Sequence, residues 1–245
     1  MALIFAVITV IATAAGGTLA IRSKDRFHLV LGLSAGLLLG LVTLELIPEV
    51  FTENQAEFAG VRVVSIALVA GFLALHILER TFGAHEPADS DYSQEHSHSH
   101  GNIAGGIGAV ALAGHIFFDG VALGLAFQIN NKIGYTIFFA LLVHAFSDGL
   151  NTVSMLQKTG NWRDKAKWLL GIDAIMRISG AAFGTYIAIG DNLLTIYLAI
   201  FSGIIIYIAT SHILPEAHSH HPSRWTLATT GAGVLAMWLI VGTLG

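Results

Sequence analysis

Long apolar runs alternate with short polar breaks along the chain, at 2–21, 29–47, 61–79, 103–127, 133–157, 167–189, 192–213 and 225–244. A helix that crosses hydrocarbon needs about 20 apolar residues, and each run is close to that length. The pattern predicts an all-α, polytopic membrane bundle of eight transmembrane helices. The first run has no basic segment before it and no polar mature domain behind it, so it reads as a span and not as a cleaved leader. The connections are short and polar, except for an acidic segment from Glu49 to Gly60 and the segment between Arg80 and Asn102. Nothing divides the chain, so 1–245 reads as a single transmembrane domain with a flexible loop over 80–102 inside it.

Composition sharpens the picture. Of the 245 residues 54% are hydrophobic and 11% charged, against roughly 25% charged in a soluble domain. The absence of cysteine excludes a disulfide scaffold or a thiolate metal site. A net charge of −4 offers no footprint for nucleic acid. Lys and Arg collect on the cytoplasmic side of membrane proteins. With the N-terminus outside, the cytoplasmic breaks hold Arg22, Lys24, Arg26, Arg80, Lys158, Arg163, Lys165, Lys167 and Arg224, while Arg62 and Lys132 lie outside. This places both termini outside an integral membrane protein of the cell (inner) membrane. Rows of small residues at helical spacing, Gly32-Gly36-Gly40, Gly120-Gly124 and Gly180-Gly184, read as close helix packing. Such rows serve packing within one chain and within a homodimer equally.

A charge at the bilayer centre costs on the order of 2.5–3.5 kcal/mol on insertion scales, so an intramembrane acid or base needs a partner or a function. The fourth and fifth runs carry the same pattern: His115-Ile-Phe-Phe-Asp119-Gly120 and His144-Ala-Phe-Ser-Asp148-Gly149. Four residues apart on a helix, imidazole and carboxylate share one face. Two such helices supply four nitrogen and oxygen ligands, a set that suits zinc, iron or cobalt better than calcium or magnesium. Asn151, seven residues beyond His144, adds a further oxygen, and Ser147 is another candidate. The competing reading is that each His bonds its own Asp without any ion.

The run His115-x-x-x-Asp119-Gly120-x-Ala122-x-Gly124 resembles the fourth-span signature of the ZIP family of divalent-metal transporters. The eight spans, the outside termini and the histidine-rich third loop agree with it. The resemblance implies a metal path between the fourth and fifth helices, entered from outside and released to the cytoplasm. It also implies two inverted three-helix repeats flanking that central pair, a 3+2+3 arrangement. The Leu-Ile-Pro48-Glu49 and Ile-Leu-Pro215-Glu216 endings of the second and seventh spans sit at corresponding places in such repeats. Glu49 then stands at the entrance, followed by Glu53 and Glu57. Glu216 stands at the exit with His212, His218, His220 and His221. Glu45 reads either as a pathway ligand or as an acid near the outer interface.

The chain departs from the family pattern in four places. Ile116 and Ala145 stand where many members have a second ligand, the fifth-span motif lacks its proline, and Phe183 aligns with a sixth-span acid. These departures weigh against a two-metal centre. The sixth span offers Asp173 and Arg177 instead, four apart and read either as an intrahelical ion pair or as a guanidinium in the place of a second cation. In the third loop His96, His98 and His100 alternate with serines beside acidic residues, a tract with too few apolar residues to fold alone, read as a metal buffer.

Uptake of a divalent transition metal is therefore the leading expectation, with zinc, iron, manganese, cobalt and cadmium unranked by ligand type although zinc leads by family. The metal is the transported substrate, and no organic cofactor is expected. The alternative is a membrane-embedded zinc hydrolase of lipid amides or esters, in which the metal activates water. Against it stands the lack of an H-E-x-x-H motif, so the chain reads as no enzyme. A metal sensor or store would not need eight spans.

Overall fold

The computed structural model describes residues 1–22, 27–82, 101–156, 162–219 and 224–244, and they are almost entirely helical. Helix α1 is Ala2–Arg22. Helix α2 runs as Phe27–Leu41, a π-helical turn Val42–Leu46, and Ile47–Glu53. A two-stranded hairpin follows, with β1 Glu57–Phe58 antiparallel to β2 Val61–Arg62. Its two turn residues, Ala59 and Gly60, both have positive φ, as the tightest hairpin turns demand. Then come α3 Val63–Phe82, α4 Gly101–Ile129, α5 Asn131–Leu156 and α6 Trp162–Tyr186. Helix α7 runs as Asp191–Ile208, a π-helical turn Ala209–Ile213, and Leu214–Ser219, and α8 is Arg224–Leu244.

Among the described residues, α1, α2, α3, α7 and α8 are long and apolar enough to cross a membrane. The central helices α4, α5 and α6 carry the buried polar side chains Asp119, His144, Asp173 and Arg177, and the described apolar stretch of α4 is Gly114–Ile129. The hydrophobic surface is turned outward on α1 (Ile4, Ile11), α3 (Val69, Ile77), α6 (Trp168, Ile175) and α8 (Trp225, Trp238), as lipid-facing helices require. The inner faces of α2, α4, α5 and α7 supply the core, including Leu38, Leu41, Leu123, Ile137, Leu141, Leu198 and Ile205.

The ends of the second and seventh helices correct the sequence reading. Pro48 and Pro215 were expected to close those spans, yet both helices continue through them. Proline lacks an N–H and its ring crowds the carbonyl four residues back, which breaks an ordinary α-helix. A π-helical turn stands two residues before each proline, Val42–Leu46 and Ala209–Ile213. The wider turn accommodates the lost hydrogen bond, so each helix bends and runs on.

The helices associate in four intimate pairs, α1 with α5, α2 with α8, α3 with α7 and α4 with α6. Glycine sets each pairing. A β-carbon at Gly36 would strike the Thr230 carbonyl of α8, one at Gly71 the Ile200 carbonyl of α7, one at Gly149 the Thr13 carbonyl of α1, and one at Gly180 the Phe117 carbonyl of α4. Without a hydrophobic force between helices in lipid, such backbone contact is what brings them together. The glycine rows are therefore structural, as their spacing suggests. The loop expected over 80–102 lies for residues 83–100 outside the described residues, and its flanks belong to the last turn of α3 and the first of α4.

Candidate metal site

In both copies of His-x-x-x-Asp-Gly the glycine fixes where the acid points. Gly120 rests against the Arg177 carbonyl of α6 and Gly149 against the Thr13 carbonyl of α1. A helix turns by about 100° per residue, so seating each glycine on a neighbour rotates the preceding aspartate into the interior. His115 Nε2 then lies 3.5 Å from Asp119 Oδ2, and His144 Nε2 lies 3.4 Å from Asp148 Oδ2. The two helices bring both pairs together, with the Nε2 atoms of His115 and His144 3.3 Å apart. One ligand atom from each of the four residues lies within 4.8 Å of all the others.

The 3.3–3.5 Å spacings among these are those of ligands around a small ion. With bonds of about 2.0–2.1 Å, tetrahedral ligand atoms stand about 3.3–3.4 Å from one another. The Oδ2 atoms of Asp119 and Asp148 are buried and accept no hydrogen bond, and His144 Nδ1 is likewise unpartnered. A buried polar atom left unsatisfied costs about 1–3 kcal/mol, a cost that a bound cation removes. Leu38 of α2 with Ile205 and Ile208 of α7 close the small pocket beside His115, Asp119 and His144. The nitrogen and carboxylate set within apolar walls suits a transition metal over calcium or magnesium.

A third helix completes the site. Arg177 of α6 is fully buried; its Nη1 lies 3.7 Å from Asp119 Oδ2 and its Nη2 3.7 Å from Asp148 Oδ2. Nη2 also donates to Asp173 Oδ1 at 3.1 Å. The intrahelical pair expected from sequence is present, and it extends to both acids of the cluster.

Comparison with known proteins bears on this geometry. The profile of the ZIP zinc transporter family matches residues 83–241. The chain belongs to that family. It is similar to the zinc transporter YKE4 of Saccharomyces cerevisiae, 26% identical over 231 residues that cover 82% of this chain and 66% of the yeast protein. It is also similar to the zinc transporter ZupT of Corynebacterium aurimucosum, 26% identical over 247 residues covering 94% of this chain and 92% of that protein. The zinc transporter foi of Drosophila melanogaster is 28% identical over 109 residues, 44% of this chain and 15% of the fly protein. The chain thus spans just under two thirds of the yeast relative and a small part of the fly one.

Within this ZIP chain the remaining sequence expectations fall in several places. Ile116 and Ala145 are buried apolar neighbours of the ligands, and Phe183 is half exposed and packs against Phe117. Ser147 is buried, but its hydroxyl donates to the Val143 carbonyl of its own helix. Glu45 is buried on the π-helical turn of α2 and pairs with Lys132 of α5 at 3.6 Å, away from the cluster. Glu49 is half-buried one turn further along α2, and Glu216 is half-buried on α7. His218 donates from Nδ1 to the Leu214 carbonyl. The Asn151 side chain and His96, His98, His100, His220 and His221 lie outside the described residues.

Three residues escaped the sequence reading. His212 pairs with Glu79 of α3 at 2.9 Å, and Tyr207 donates to the same carboxylate at 2.8 Å. His76 meets the Tyr207 hydroxyl at 3.3 Å. The polar pair His76 and Glu79, three apart in an apolar helix, was the available signal.

Proposed function

We propose that this chain carries divalent transition-metal ions, zinc foremost, across a membrane into the cytoplasm through His115, Asp119, His144 and Asp148. The observation that carries the proposal is the cluster of four ligand atoms, one from each residue and all within 4.8 Å of one another, drawn from two adjacent helices. Zinc is favoured because the matched family and the relatives above bear it in their names. The metal is cargo, so affinity must permit release. Histidine ligation makes affinity fall with acidity, because the metal competes with a proton for the imidazole.

The eight helices are read as eight spans in a 3+2+3 arrangement of inverted repeats. Support comes from the π-helical turns at matching offsets before Pro48 and Pro215, on α2 and α7. The Lys and Arg tally directs the termini outside, with Glu45 and Glu49 toward the entrance and His212, Glu216 and His218 toward the exit. The segment holding His96, His98 and His100 acts as a buffer for released metal. A transporter family leaves the hydrolase reading without support.

Purified protein in liposomes loaded with a metal-sensitive dye tests the reading. Asp119→Ala and Asp148→Ala are each expected to abolish accumulation, while deletion of residues 86–100 leaves it measurable. Flux that survives both aspartate changes overturns the assignment of this site.

A further inference from the structure

Metal ligation by two His-Asp pairs does not account for a fully buried guanidinium in their midst. Arg177 stands within ion-pair distance of three carboxylates, Asp119, Asp148 and Asp173. Its one hydrogen bond among these is to Asp173; its Nε and Nη1 have none. Toward the two ligand aspartates it therefore acts through charge. It leaves their Oδ2 atoms, the same atoms that face the histidines, without a hydrogen bond.

The formal charges set what the site will accept. Three carboxylates, one guanidinium and two neutral imidazoles sum to −2, which one divalent ion cancels. A second divalent ion would leave +2 in a low-dielectric interior, where uncompensated charge is heavily penalised. Chemistry agrees with the electrostatics: Ile116 and Ala145, beside the first ligand of each helix, offer no donor atom. Geometry keeps the cation in place. Gly120 and Gly180 bring the backbones of α4 and α6 into contact at Arg177, whose side chain is sealed from solvent at 1% exposure.

We propose that Arg177 is the site's permanent second cation: it limits occupancy to a single divalent ion and holds Asp119 and Asp148 in position when none is bound. The inference rests on the metal-site reading above. Arg177 is a positioning and specificity residue in this scheme and does not touch the transported ion.

Cobalt(II) titration of the purified full chain tests it. Equivalents are counted as the excess over the double variant Asp119→Ala/Asp148→Ala, which removes any contribution from the loop histidines. Wild type is expected to bind one equivalent, with the visible absorption of tetrahedral cobalt. Arg177→Met is expected to take a second equivalent or to bind the first at least tenfold more tightly, and Arg177→Lys to behave as wild type. Arg177→Met binding one equivalent within threefold of the wild-type affinity overturns the proposal. Should Arg177→Met fail to fold, Asp173→Asn carries the test from the other side. It removes one negative charge without touching a ligand and is expected to weaken cobalt at least tenfold; an unchanged affinity overturns the proposal. A wild-type protein with no equivalent above the double variant would instead sink the metal site itself, so the two failures are distinct.

Discussion

On α4 the His115 side chain is 16% exposed and Asp119 1%, whereas on α5 His144 is 4% exposed and Asp148 22%. The two helices spell the same motif and bury opposite ends of it. The cause is the surface on which each glycine rests. Gly120 seats α4 on α6, the helix that carries Arg177, while Gly149 seats α5 on α1 at Thr13, although Arg177 stands 3.7 Å from the acid of each copy. Identical local spacing thus yields one acid that is sealed and one whose side chain is partly exposed, both beside the same guanidinium. His115 and Asp148 are the more exposed members of the cluster, the edge at which the proposed transport would exchange ligands.

The largest effect should come from removing the sealed acid. Loss of one partner from a buried ion pair costs about 3–5 kcal/mol, because the other charge is stranded. Asp119→Ala is therefore expected to lose about that much stability. Asp148→Ala should lose about 1–3 kcal/mol, since its side chain is 22% exposed. Chemical or thermal unfolding in detergent, without metal, measures both. Equal losses would show that the burial difference between the two copies has no energetic meaning.

Next in size are the glycine seats. Adding bulk where two backbones meet forces a shift that costs about 1–3 kcal/mol, so Gly120→Val and Gly149→Val should each lower the unfolding midpoint. They should differ in metal binding. Gly120→Val displaces Arg177 and Asp119 together and is expected to weaken zinc at least tenfold. Gly149→Val moves only the acid at the open edge, and about threefold is expected. Titration of the two variants with zinc, in parallel, decides whether α6 or α1 holds the site.

Much of this was legible in the sequence, for identifiable reasons. Period and length marked the helices, because hydrocarbon tolerates little else. The duplicated motif exposed His115, Asp119, His144 and Asp148, because four-residue spacing is enough to put each pair on one face. Asp173 and Arg177 were legible as a pair for the same reason. That Arg177 reaches Asp119 and Asp148 was not settled by spacing, since it depends on which helix each glycine meets. Pro48 and Pro215 misled because proline is read locally as a stop, whereas a π-helical turn upstream lets the helix continue. Glu79 and His212 went unpaired in the sequence because they stand on helices far apart in the chain, brought together where Gly71 meets Ile200 and Gly203 meets Leu68.

The smallest expected effect concerns a tether that one copy has and the other lacks. Lys132, in the first turn of α5, reaches across to the buried Glu45 on the π-helical turn of α2. It lies twelve residues before His144, roughly 18 Å along the helix, so it cannot act on the ion directly. Lys132 is 38% exposed but Glu45 only 5%, so removing the lysine leaves a buried acid without its partner, at about 1–3 kcal/mol. Lys132→Ala should therefore lower stability modestly and leave the equilibrium affinity for zinc nearly unchanged. What it frees is the position of α5 relative to α2, whose Leu38 lines the pocket at His144. A change in the rate of uptake of about twofold to fivefold, with affinity constant, is the expected result in liposomes. Because the pair is partly exposed, added salt should mimic the substitution in wild type and do nothing further in the variant. An altered affinity with an unaltered rate would mean that the tether shapes the site itself and that the two copies differ in more than their glycine seats.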